Sequence, residues 1–228
     1  MTAPGSMTGV LRALTRTPRT GRGRIVMLTS AQRSEGVSTV ARSVAEAASG
    51  GIALLIDLDL VKDGQHRFYQ EESFAKGARL SDAIDGRLKG QSLYRIIGVD
   101  GRTRQEARSA MAYHRIGRSK LFVGGFDASV LGPEERLQIP TGPAYWQALR
   151  QSCEVAVVDA PALQRSRVGL SICQHMDGVV IVASGRDGSA TATIGLKTEL
   201  EAAGALVLGV IYTRADSVAL SLEHPSLG

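Results

Sequence analysis

The sequence predicts a doubly wound, mainly parallel α/β sheet in one domain, and three observations lead there. Six short apolar runs, at 25–28, 52–56, 121–123, 155–158, 179–183 and 205–212, are rich in Val and Ile and do not alternate with polar residues. Strands buried on both faces read this way. Between them, the stretches 38–49, 145–151 and 190–203 space their apolar residues as amphipathic helices do. Strands and helices in alternation imply a parallel sheet with helices on both faces. A chain of 228 residues is also long enough for one such domain with a sizeable core.

The remaining composition narrows the class. Hydrophobic residues at 43% and charged residues at 21% exclude a disordered or collagen-like chain. No apolar run approaches the roughly 18 residues that span a bilayer, and the N-terminal stretch lacks the apolar centre of a secretory signal. Cys153 and Cys173 are the only cysteines and form no CxxC pair, which fits a reducing compartment. A cytoplasmic protein is therefore expected. The net charge of +5 is unevenly placed: six arginines precede Glu35, the first acidic residue, so they exceed the whole excess. Such a basic segment suits an acidic protein tail, a membrane surface or nucleic acid, or is simply a solvated leader.

Residues 1–23 mix Pro, Gly, Thr and Arg around Val10, Leu11 and Leu14, and read as a flexible basic arm with one helical turn. The body is expected over 24–216 and a tail over 217–228. The pattern is weakest over 63–120, where 65–76 and 98–120 are polar; a helical insertion with loops is expected there.

In an open α/β sheet, ligands bind beyond the carboxyl ends of the strands, and three features fall at such ends. The first is the loop from Thr29 to Thr39, containing Arg33, Ser34, Glu35, Gly36, Val37, Ser38 and Thr39. A phosphate loop needs glycines whose neighbouring N–H groups close round an oxyanion, a lysine for the terminal phosphates and a hydroxyl for Mg²⁺. Gly36, Ser38 and Thr39 are in register for this, but Ala31 takes the place of the first glycine and Val37 that of the lysine; an ordinary strand-to-helix turn fits equally. The second feature is Asp57 and Asp59, two residues apart at a strand end and so on one side of it. Such carboxylates can hold hydrated Mg²⁺ or accept a proton. The third is Asp159, before Ala160 and Pro161 at the end of another apolar run, where a carboxylate can orient a metal-bound water. Singly, each of the three aspartates also suits a turn or a helix cap.

In this order and spacing, 36–39, 54–60 and 155–161 resemble the Walker A, Walker A′ and Walker B motifs of the bacterial tyrosine kinase family. That family is a branch of the MinD/ParA-type P-loop ATPases, and it serves capsule and exopolysaccharide synthesis. The likeness continues in Leu80, Ser81, Asp82, Ala83 and Ile84, in the 121–125 strand ending in Gly, and in 200–216. It implies a P-loop NTPase-like three-layer sandwich. It further implies ATP/ADP held by residues 33–39 with Thr213 at the adenine position, Mg²⁺ on Ser38, Asp57 and Asp159, and catalysis by Asp57 and Asp59.

Four departures bear on activity. Val37 replaces the phosphate-binding lysine, and a charge-assisted bond of that kind is worth about 1.5–3 kcal/mol. Val61 replaces an arginine, Thr213 an asparagine, and the chain from Thr213 onward contains no tyrosine for autophosphorylation. Arg33 is the candidate replacement cation. The family's oligomer-forming helix, a Glu followed by two spaced arginines, is matched by Arg12 and Arg16 without the Glu, so a homo-oligomer is left open.

The expectation is a catalytically impaired homologue that regulates exopolysaccharide assembly or export. Its nucleotide and Mg²⁺ binding would be weak or lost. Its partner, by resemblance, is the cytoplasmic tail of a membrane polysaccharide co-polymerase, the chain-length determinant, which would hold it at the inner membrane. The alternatives are an active ATP-dependent tyrosine autokinase and a MinD/ParA-like positioning ATPase bound to membrane or DNA through the basic arm; no sequence-specific nucleic-acid contact is expected. The four histidines have no metal-site spacing, the two cysteines read as buried hydrophobes, and Trp146 reads as the anchor of the helix before Asp159.

Overall fold

A computed structural model describes residues 4–17, 21–75, 80–81, 83–104, 106, 108–214 and 220–222. In chain order the elements are α1 (Pro4–Arg16), β1 (Arg24–Thr29), α2 (Val37–Ala47), β2 (Ala53–Asp57) and α3 (Gly64–Ala75). Next come β3 (Ile84–Asp85), β4 (Arg95–Ile97), β5 (Met111–Arg115), β6 (Leu121–Phe126), β7 (Arg136–Gln138) and α4 (Ala144–Ser152). The chain continues through β8 (Val155–Asp159), α5 (Val168–Ile172), β9 (Gly178–Ser184), α6 (Ala190–Ala202), β10 (Val207–Thr213) and β11 (Leu220–Leu222).

Among the described residues the main sheet has the order β11-β10-β9-β1-β8-β2-β6-β5-β3. The six strands from β10 to β6 are parallel, and β11, β5 and β3 are antiparallel additions at the two edges. The parallel strands coincide with the six apolar runs. Their lack of alternation has a direct cause, since both faces are covered. Ile25 and Met27 of β1 join one core with Trp146 and Leu149 of α4 and Leu196 and Leu200 of α6. Val26 and Leu28 of the same strand join a second core with Val40 and Val44 of α2 and Tyr69 of α3. The result is a three-layer sandwich. Trp146, 1% exposed, anchors α4 as expected.

Three expectations need correction. The segment read as a flexible arm carries α1, a thirteen-residue helix whose Met7, Val10 and Leu14 are buried in the second core against α2. Their i, i+3, i+7 spacing lays one apolar stripe along the helix and leaves Arg12 and Arg16 exposed. Arg24, at the head of β1, ties the helix down: its guanidinium donates to the Thr17 carbonyl at 2.8 Å and to the Thr15 carbonyl at 3.1 Å. Among the described residues the stretch 98–120 carries no helix. It contributes β5, in which buried Met111 and Tyr113 alternate with partly exposed Ala112 and His114, the pattern of an antiparallel strand covered on one face. Nearby, β4 and β7 form a separate two-stranded sheet. Finally, the sheet extends past residue 216, because β11 pairs with β10. The rest of the 217–228 tail lies outside the described residues, as does Asp82.

Candidate functional site

The carboxyl ends of β1, β2 and β8 lie side by side, and register decides what meets there. Leu28 is opposite Asp159, and Asp57 is opposite Asp159 on the other side of β8. Two of the three aspartates singled out in the sequence, Asp57 and Asp159, are thus direct cross-strand neighbours. The loop between β1 and α2 closes over them and bounds a cleft of about 710 Å³. Its lining includes Arg33, Ser34, Gly36, Val37, Ser38, Asp57, Asp59 and Asp159, together with Lys62, Arg165 and Arg214.

The loop has the form of an anion cradle although its sequence is degenerate. Ser34 (φ 62°) and Gly36 (φ 93°) both adopt left-handed backbone, the conformation from which anion-binding nests of N–H groups are built. Among the described residues, the N–H groups of residues 34–38 have no protein acceptor. Glu35 braces the loop from beneath, accepting from Gln32 N–H at 2.9 Å and from Ser184 N–H at 3.2 Å. Thr213 braces it from β10, where its hydroxyl donates to the Glu35 carbonyl at 2.7 Å. Its methyl stands 3.2 Å from where a Cβ on Gly36 would be, so position 36 has neither the room nor the dihedral for a side chain. Thr213, expected at an adenine contact, has its hydroxyl engaged within the loop.

The carboxylates are engaged as well. Asp57 accepts from Asp59 N–H at 2.8 Å and from Gln65 N–H at 3.3 Å. Asp159 accepts from the side-chain amide of Gln65 and from the Ser38 hydroxyl. Gln65, in the first turn of α3 and fully buried, also donates from Nε2 to the Ser38 carbonyl at 3.0 Å and accepts from Arg42 at 3.1 Å. Asp59 is ion-paired with Arg165. Burial, and then the neighbouring Asp159 charge, push the Asp57 carboxyl up to about 7. Asp159 is also raised, chiefly by burial, against the pull of its bonds to Gln65 and Ser38.

The predicted residues 33–39, 57, 59, 159 and 213 therefore all border or brace one cleft. Sequence reading missed Gln65, Arg165 and Arg214. No motif marks them, and their only signal is that each follows a strand end by a few residues. The other candidates lie elsewhere. His66 stacks on His114 at 4.8 Å and pairs with Asp63 at 3.0 Å, between α3 and β5. Cys153 and Cys173 are buried, and burial pushes the Cys153 thiol up to about 12, so neither is an activated nucleophile. Among the described residues no helix is long and apolar enough to cross a membrane.

No family model matches the chain, and no curated protein matches it. Solved structures do. The kinase domain of VpsO is 20% identical, with a TM-score of 0.62 over 93% of this chain and 94% of that one. The kinase domain of the Escherichia coli tyrosine kinase Etk is 17% identical, with a TM-score of 0.60 over 97% and 80%. The septum site-determining protein MinD of Pyrococcus horikoshii OT3, solved with Mg-ADP, is 19% identical, with a TM-score of 0.53 over 85% and 71%. This chain thus has the doubly wound P-loop fold that bacterial tyrosine kinase domains share with MinD-type ATPases.

Proposed function

We propose that this chain is a catalytically silent homologue of the bacterial tyrosine kinases. It regulates exopolysaccharide or capsule assembly or export by docking on the cytoplasmic tail of a membrane-anchored chain-length determinant, at the inner face of the membrane. One observation carries the silent half of this reading: the loop keeps the backbone shape of a phosphate cradle while the groups that would transfer a phosphoryl are missing or engaged. Val37 supplies no cation, and Asp59, the candidate base, is held by Arg165. The pathway and the partner follow the likeness in fold and motifs.

Incubated with Mg-ATP, the chain should place no labelled phosphate on tyrosine above an Asp59→Asn control, and calorimetry should register its binding to the purified tail of the chain-length determinant. Labelled phosphotyrosine that disappears in Asp59→Asn would establish an active autokinase instead. Because the cradle is preserved, restoring the cation should be enough to strengthen binding. Val37→Lys is expected to tighten ADP by about ten- to a hundredfold, the worth of one charge-assisted hydrogen bond. Unchanged affinity would mean that the loop has lost more than its lysine.

A further inference from the structure

The geometry points to Gln65 as the residue that stands where a divalent cation would sit, so that phosphate groups bind in this cleft without metal. The inference rests on the reading above that the cradle still receives phosphate.

A Mg²⁺ serving this loop would have to be shared by Ser38, Asp57 and Asp159, with oxygens at about 2.0–2.1 Å in near-octahedral order. The residues present do not fit it. The Gln65 amide nitrogen lies between the same groups, donating one hydrogen to Asp159 Oδ2 and the other to the Ser38 carbonyl at 3.0 Å. Its backbone N–H takes Asp57 Oδ2 at 3.3 Å. Both side-chain donors are thus used, and Arg42 fixes the amide oxygen at 3.1 Å, so the side chain is held from every polar atom. Among the described residues no three His, Cys, Asp or Glu side chains are arranged to hold a metal. A cation could enter only by expelling a fully buried glutamine and leaving its amide unbonded, which is unfavourable.

What a metal would do for a ligand's charge is supplied by fixed cations. Arg33 and Lys62 line the cleft that holds the N–H groups of residues 34–38, with Arg165, which also pairs with Asp59, and Arg214, which also pairs with Asp187. Guanidinium groups bind phosphate oxygens in pairs and remain charged throughout the physiological range. The chemical class this selects is a group with two or more linked phosphates, and about 710 Å³ leaves room for a nucleoside on it.

The test is calorimetry on the full chain with ADP, ATP and pyrophosphate, each in chelator and in excess Mg²⁺, together with paramagnetic resonance of Mn²⁺ alone. Phosphate ligands are expected to bind equally in both conditions, and free Mn²⁺ to keep its full signal. Pyrophosphate as tight as ADP would assign recognition to the phosphates alone; tighter ADP would add the nucleoside; either result supports the inference. Gln65→Glu keeps the side-chain shape and exchanges the donor for a carboxylate ligand, so it should quench the Mn²⁺ signal and gain thermal stability with Mn²⁺. Gln65→Ala, which only vacates the place, should acquire a metal dependence of ADP binding of about tenfold or more. The inference is overturned if wild type binds Mn²⁺, if Mg²⁺ tightens its ADP by about tenfold, or if both variants fold and ignore metal. Failure of every phosphate ligand to bind, with or without metal, would also sink it while leaving the silent-homologue reading intact; phosphotyrosine transfer would sink that reading separately.

Discussion

Replacing Asp57 with asparagine should abolish most of the stability that the wild-type chain loses as pH rises from about 4 to about 7. Asp57 is 8% exposed and faces Asp159 across the β2–β8 ladder, and its carboxyl is pushed from 3.8 up to about 7. The folded state therefore keeps a proton there at pH values where the unfolded chain, with an ordinary carboxyl, has lost it. The associated stability is complete below the unfolded value and is lost as pH rises through the folded one. About three pKa units at roughly 1.4 kcal/mol each bound the effect near 4 kcal/mol, and sharing of the proton with Asp159 brings it to roughly 2–4 kcal/mol. For a chain of this length that is about 5–10 °C in Tm. The groups facing Asp57 are Asp159 on β8, Asp59 with its Arg165 partner, and the Gln65 backbone on α3. Melting curves of both proteins across this range should show the difference swinging toward the variant as pH rises. A difference that stays constant would mean that Asp57 ionises like a surface carboxylate.

The second large effect concerns α1. Val10→Asp should lower stability by about 3 kcal/mol or more, whereas Arg12→Asp, two residues away on the exposed side, should change it by no more than about 0.5 kcal/mol. Val10 is fully buried between Met7 and Leu14, and each such side chain contributes about 1.5–3 kcal/mol when removed from water. A carboxylate there would be buried in an apolar cluster, so the helix would leave the body rather than bury it. Thermal denaturation gives the energy. Trypsin gives the mechanism, because cleavage after Arg12 and Arg16 should accelerate in Val10→Asp alone. Equal effects of the two substitutions would return α1 to the status of a loose arm.

These cases show what the sequence could disclose. The six parallel strands were legible because burial on both faces forces unbroken Val and Ile runs, and the phosphate loop and its aspartates were legible because they sit where such runs stop. α1 was harder. Its stripe of Met7, Val10 and Leu14 was present, but Pro4, Gly5 and Gly9 and four arginines within the same 23 residues masked it, and its burial depends on the surface of α2. The antiparallel strand β5 was hidden by its more polar outer face, although Met111 and Tyr113 alternate in the proper period. Gln65 could not be found at all from spacing. A neutral side chain on a helix whose polar face dominates carries no signal until α3 is packed beneath the loop and brings the amide against Ser38 and Asp159.

The position of β1 has a consequence for how the protein is made. This strand lies between β8 and β9, so Arg24 finds its neighbour in Val155, more than a hundred residues later in the chain. At synthesis rates of about 5–20 residues per second, the ribosome needs several seconds at least to deliver that partner. Throughout that interval the apolar stretch from Ile25 to Leu28 can pack on α2 but has neither of the strands beside which it will finally lie. The first strand made therefore waits for both of its neighbours, β8 and β9, and the nascent chain is a natural client for chaperones until they have emerged.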